Sequence, residues 1–299
     1  MKKKSAFLII AVLVFMAPNC YAAKALKKTV AVFEFKNDSG YSAIGNLGQD
    51  FSMQLSDALI QSGQFIVLTR KDLDVVMAEQ DLAGSDRFAK SNTAKKGKLV
   101  PAQILIKGRI TEFTEKKSGG GQGLRIKGFR LGANKSTAHL AVILQLVDSS
   151  TGEILDSRRV EGEASAGGLS LGYSGSFGIN SSNFKKTPLG KAVQTAIDRG
   201  VDYISKKLKD MPWKGKVVLV KEGVVYVNSG KNSGLSSGDS LSVYREGEAL
   251  VDPDTGIELG KETAKLGDIK INEVQEKFSK ASVIGSANQE IQKGDLVLE

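Results

Sequence analysis

Helical periodicity stops at Met211-Pro212-Trp213 and does not return. Upstream of that point, β-rich runs alternate with apolar stripes at spacings of three and four. Downstream there are only short runs of Val, Ile and Leu separated by glycine turns. The expectation is therefore two modules: an α/β layer of helices packed on a sheet over residues 28–210, and a small all-β domain over residues 213–299. A length of 299 residues has room for both.

In the first module Thr29 to Phe35 (TVAVFEF) reads as a strand closed by Asn37-Asp38-Ser39-Gly40. A helical stripe follows through Leu47, Phe51, Leu55, Ala58 and Leu59, and Gly63 stops it. Phe65 to Leu68 is a second strand, and Thr69 with Asp72 forms a capping pattern before a helical run through Leu73, Val76 and Met77. Ile104 to Phe113, His139 to Val147 and Gly152 to Val160 are strands. Thr187-Pro188 opens a last helix whose apolar face is Leu189, Val193, Ala196, Ile197, Val201 and Ile204.

In the second module, strands are expected at 217–220, 224–227, 241–245, 269–271, 281–284 and 296–298, three of them after Gly-Asp turns. The pattern V-D-x-x-T-G-x-x-L occurs at residues 147–155 and again at 251–259. Asp252 and Asp254 lack the later carboxylate and the spacing of a calcium loop, so a hairpin turn is the better reading.

The N-terminus has Lys2-Lys3-Lys4, an apolar run from Ala6 to Ala17, and then Cys20-Tyr21-Ala22-Ala23, the layout of a signal peptide over residues 1–22. The run is too short to cross a bilayer as a helix. Cys20, the only cysteine, is a lipidation candidate if cleavage falls just before it. The preceding Ala17-Pro18-Asn19 departs from the usual lipoprotein box, and cleavage after Ala22 leaves a mature chain without cysteine. Removing the three signal lysines takes the formal charge from +9 to +6. Lysine clusters such as Lys95-Lys96-Gly97-Lys98 lack the interleaved aromatic residues of single-strand binders, so they read as a solvated face and nucleic acid is not an expected partner.

Catalysis needs a constellation, and the chain has one histidine, His139, inside an alternating strand. The glycine runs at 119–123 and 167–168 match neither phosphate-binding fingerprint. No catalytic activity, metal or cofactor is expected.

Two Gly-rich insertions interrupt the first module, at residues 117–137 and 164–186. In the second, residues 167–182 carry no charge, although charged residues make up 25% of the chain. Leu169, Leu171, Tyr173, Phe177 and Ile179 alternate there with Ser and Gly, which matches the length and period of a membrane β-strand. In the first, Leu124 and Ile126 alternate with Arg125 and Lys127. The phase slips at Gly128, and Phe129 and Leu131 then flank Arg130, so a bulge or turn at Gly128 restores one apolar face. Surface loops are the alternative, favoured by Ser118-Gly119-Gly120-Gly121.

The segments "TVAVFEFKNDSG", "SGQFIVLTRKDLDVVMAEQ", "AQILIKGRITEF" and "VDSSTGEIL" resemble the CsgG family of curli secretion channels and its holdfast-anchoring relatives, over roughly residues 28–208. The stretches "VNSGKNSGLSSGDSLSVYREGE" and "VDPDTG" resemble the C-terminal domain of the flagellar assembly protein FlgT. The first resemblance implies a periplasmic α/β domain that forms a ring of identical subunits, each lending β-hairpins to one shared outer-membrane barrel at the places of the two insertions. It also implies a pore-constriction loop between the first strand and first helix, with Tyr41, Ile44 and Asn46 as candidates. Expected partners are further copies of the chain, the outer membrane of a Gram-negative bacterium, and an exported protein cargo or periplasmic partner. The curli channel lacks the FlgT-like domain. That departure keeps open a soluble periplasmic scaffold or accessory factor that forms no pore, like flagellar-ring proteins or activators of peptidoglycan synthesis.

Overall fold

A computed structural model of the chain describes residues 26–41, 46–70, 73–83, 100–119, 124–126, 129–131, 134–168, 182–256 and 258–299. The N-terminal sheet is built from β1 (Lys28–Val32), β3 (Phe65–Leu68), β4 (Ile104–Gly119), β7 (Asn134–Asp148) and β8 (Ile154–Gly168), with a two-residue strand β2 (Lys36–Asn37) beside β4. Their order is β3-β1-β4-β7-β8. The pairs of β1 with β3 and β4 are parallel, and β4-β7-β8 is an antiparallel meander.

Helices α1 (Leu47–Gln61) and α4 (Pro188–Lys209) cover one face of this sheet. The stripe read from the sequence is the stripe that packs: Leu47, Phe51, Leu55 and Leu59 are buried against Val30, Ile106, Leu140 and Leu144. Pro188 occupies the first turn of α4, where its missing N–H costs nothing, and the Thr187 hydroxyl accepts the Gly190 N–H at 3.0 Å. Gly162 in β8 is where α4 comes closest, because a Cβ there would overlap the Ala192 carbonyl. Helix α2 (Leu73–Ala83) forms where the capping pattern places it, yet none of its residues is buried. A short helix, α3 (Ser182–Lys185), ends the second insertion.

The strands run further than their sequences suggest. The meander extends six residues past Phe113 to Gly119, and pairing continues through Gly119↔Asn134 and Asn134↔Gly168. Between β4 and β7, strands β5 (Leu124–Ile126) and β6 (Phe129–Leu131) form a separate antiparallel pair with Leu124 opposite Leu131 and Ile126 opposite Phe129.

The C-terminal module is a closed six-stranded barrel of β9 (Lys214–Lys221), β10 (Val224–Val227), β11 (Ser240–Val251), β12 (Glu258–Val274), β13 (Ser279–Ile284) and β14 (Leu296–Leu298), in the order β10-β13-β12-β11-β14-β9. Alternation fills it with Val217, Val225, Val243, Ile269, Ile271, Ala281 and Val297, and Trp213 packs on this core. A residue from the far end of the chain joins it: Leu26, two residues before β1, is buried in the barrel core, and the Lys27 N–H donates to the Ser233 carbonyl at 2.8 Å. The Gln103 side-chain amide donates to the Lys214 carbonyl at 2.9 Å, a second tie between the modules.

Candidate functional site

The meander leaves the helical layer at the roots of the two insertions, and a β-bulge prepares the exit. Register between β4 and β7 slips between Ile110 and Glu112, which reverses the phase of β4. Ile104, Ile106 and Ile110 point into the core before the slip and Phe113 after it, so Glu112 turns to the outer face.

On that outer face the cross-strand rows carry alternating charge. Arg109, Ile143 and Arg159 share one row, Glu112, Ala141 and Glu161 the next, and Thr114, His139 and Glu163 the third. The small Ala141 lets longer side chains meet above it. Arg159 reaches Glu112 at 2.7 Å and Glu161 at 2.6 Å, while His139 has Glu112 at 3.1 Å from Nε2 and Glu163 at 3.3 Å from Nδ1. The hydrogen bond and positive charge of Arg159 hold the Glu112 carboxyl below its ordinary range, and Glu112 in turn raises the Arg159 guanidinium. These groups tie β4 to β8 across β7. Each carboxylate faces a cationic or imidazole partner, and the cluster braces the three strands.

Tyr41 lies at the same root. Its ring meets Phe113 edge-on with centroids 4.8 Å apart, and burial, then the Glu115 charge, pushes its phenol upward. The segment before it is locked by its own hydrogen bonds. The Asn37 amide donates to the Tyr41 carbonyl at 2.9 Å, and Ser39 Oγ donates to Asn37 Oδ1 at 2.6 Å and accepts the Tyr41 N–H at 3.2 Å. Asn46 caps α1, accepting the Gln49 N–H at 3.4 Å and donating to the Gln49 side chain at 2.9 Å. The structure thus brings Tyr41 to the strand exit and gives Asn46 a capping role.

Ile44 lies outside the described residues, as do Cys20 and the second-insertion candidates Leu169, Leu171, Tyr173, Phe177 and Ile179. Leu124, Ile126, Phe129 and Leu131 are placed by backbone register alone. The brace around Arg159 was missed by sequence reasoning. Its signal was present as the period-two series Arg159, Glu161, Glu163, the mark of a strand with one charged face.

A polar cleft, about 520 Å³, opens between β8 and α4. There Lys207 pairs with Asp156 at 2.7 Å, and Arg158 stacks over the Tyr203 ring at 5.7 Å. Burial, then the Asp156 charge, pushes the Tyr203 phenol up to about 12. Among the described residues no group of three or more His, Cys, Asp or Glu side chains is placed to hold a metal ion, and no helix is long and apolar enough to cross a membrane. The latter says nothing of strands.

Residues 20–230 match the family of the curli production assembly/transport component CsgG. The chain belongs to the CsgG family. Residues 222–299 match the C-terminal domain of flagellar assembly protein T, so this member joins a CsgG domain to a FlgT-type domain. A search of curated proteins gave no significant match. Solved structures similar to it include a hypothetical protein from Chlamydia trachomatis (17% identity, covering 60% of this chain and 96% of that one, TM-score 0.39). The PelC dodecamer from Paraburkholderia phytofirmans (13% identity, 62% and 90%, TM-score 0.29) and a lipoprotein from Neisseria meningitidis (16% identity, 60% and 99%, TM-score 0.28) are similar at a lower level.

Proposed function

We propose that this CsgG-family chain is a non-enzymatic, exported, outer-membrane-associated component that forms a ring of identical subunits and serves the secretion or anchoring of an extracellular protein. Its two Gly-rich insertions supply β-hairpins to a shared barrel, and its FlgT-type barrel docks a periplasmic partner. Family membership supports envelope assembly or transport. The observation that carries the hairpin assignment is the unbroken ladder beyond the helical layer. Past the last core rung, Glu115↔Ala138↔Ala164, pairing continues to Gly119↔Asn134, roughly 14 Å of further strand, and β8 keeps register alongside to Gly168. A surface loop has no cause to extend two paired strands so far, nor to exclude charge from residues 167–182.

The test is retention of the full-length protein in the outer-membrane fraction of a Gram-negative host after alkaline carbonate or urea washing. Wild type and a Cys20→Ala variant are expected to stay. Replacing Leu171 and Phe177 by Asp is expected to release the protein, since a charged group facing lipid near the bilayer centre costs on the order of 2 kcal/mol. Unchanged retention of that double variant sinks the hairpin assignment. Release of wild type favours the soluble periplasmic scaffold, a reading to which the FlgT-type domain lends support.

A further inference from the structure

The C-terminal barrel has one part that does not belong to its wall. β11 pairs with β14 only at Ser242–Tyr244, and β12 pairs with β13 only from Asp268 onward, so the segments Arg245–Val251 and Glu258–Lys265 project as a two-stranded ribbon. Register slips at Glu246/Ala249 and at Leu250/Val251 kink the ribbon and spoil its edges for strand addition. Its tip holds Leu250, Val251 and Leu259 at 55%, 54% and 70% exposure. The ribbon and its turn, residues 245–265, carry six acids to three bases in a chain whose formal charge is +9, and two of those bases, Arg245 and Lys265, pair at its root with Asp295 and Asp268.

The opposite side of the barrel has the complementary surface. In the closed order, β9 and β10 stand three strands away from β12 and β11. There the outward row Leu219–Tyr226–Lys280 joins Val218, which bulges out of the β9–β10 ladder, and Phe278, whose ring lies 6.3 Å from that of Tyr226. Val218, Leu219 and Phe278 are all exposed, and Lys216, Lys221, Lys277 and Lys280 frame them, with Glu276 beside Lys277, Glu222 3.8 Å from Lys221 and Glu273 2.8 Å from Lys280.

We propose that the acidic, leucine-tipped ribbon of one copy docks on the basic apolar wall of a second copy's barrel, head to tail. Sign and polarity match on the two surfaces, and an anionic lipid surface would repel the ribbon. Because the two patches lie on opposite sides of one barrel, the contact is heterologous and propagates to a closed ring or a filament. It concerns the FlgT-type modules alone and does not depend on the insertions entering a membrane.

Oxidative cross-linking of the full-length protein in a Gram-negative host tests this. In a Cys20→Ser background, the pair Leu259→Cys and Leu219→Cys is expected to give a ladder of disulfide-linked multimers. Either cysteine alone, or Leu259→Cys with Asp198→Cys on α4, is expected to give none. Lys221→Glu should lower the yield about fivefold, and adding Glu248→Lys to the same chain should restore it. Each variant is compared with wild type in a thermal melt, so that a missing ladder is not mistaken for misfolding. Monomer from the ribbon-wall pair, an equal ladder from the α4 control, ribbon-to-ribbon dimers from Leu259→Cys alone, or capture only of a different protein would each overturn the docking. Carbonate-wash retention of the same variants separates this outcome from failure of the pore reading.

Discussion

The C-terminal barrel closes on itself through β9 with β14 and β10 with β13, whereas the N-terminal sheet, among the described residues, ends at β3 on one side and β8 on the other. A closed barrel leaves its ladder no open edge, while an edge strand presents a row of unpaired N–H and C=O groups that must be guarded or used. Alongside α4, β8 carries Arg158, Arg159, Glu161 and Glu163, charges that discourage pairing with another chain. From Ala164 to Gly168 it carries none. Among the described residues β8 has no second strand neighbour, and its edge is charged where α4 covers the sheet and uncharged where it runs into the second insertion.

The sharpest way to break the contrast is to ask whether the barrel is as self-contained as its closure implies. Leu26 comes from the other end of the chain yet is 5% exposed in the barrel core. Leu26→Ala is expected to cost about 3 kcal/mol by removing buried methyl groups and leaving a cavity. Trp213, the only tryptophan and 2% exposed on the same core, reports barrel unfolding in urea. A fluorescence midpoint that drops in Leu26→Ala but stays put in Leu144→Ala, which damages only the sheet core, would mean the barrel unfolds as its own unit with Leu26 as part of it. Equal shifts in both would mean that the two modules unfold together.

The open sheet is probed at its closest internal contact. Gly162→Val places a side chain where α4 allows none, and overpacking of this kind costs about 2 kcal/mol. Far-UV circular dichroism is expected to show loss of α4 at lower urea than in wild type. An unchanged midpoint would mean that α4 shifts freely on β8, and that the guarded part of the edge is less fixed than its packing suggests.

Much of the contrast was legible in the residues and part was not. Local signals placed α1, β3 and the start of α4 closely, because spacing and capping act within one element: Leu47, Phe51, Leu55 and Leu59 share a helix face, and Thr187-Pro188 satisfies a helix start on its own. The length of β4, β7 and β8 was not legible. The extensions TEKKSG (114–119) and NKSTA (134–138) hold no Val, Ile or aromatic residue, and they are held extended by register with their neighbours. Barrel closure and the burial of Leu26 were hidden for the same reason, since each joins residues far apart in the chain. The insertion alternations were visible in sequence. The structure adds the register of the first, while the second candidates lie outside the described residues.

The smallest effect concerns the brace at the strand exit. Glu112 has its carboxyl held below the ordinary value of about 4.3 by Arg159, so the folded state binds its proton less readily than the unfolded chain. A lowered carboxylate pKa contributes stability that is present above the ordinary value and is lost as pH falls through the folded-state value. Glu112→Gln removes this linkage while keeping the shape of the side chain. The variant is expected to be slightly less stable than wild type at neutral pH, with the difference shrinking as pH drops below about 4. Arg159 is half-exposed, so the gap at neutral pH should also narrow with added salt. Parallel acid-denaturation curves for the two proteins would show that Glu112 does not couple β4 to β8. The guarded half of the edge would then rest on α4 packing alone.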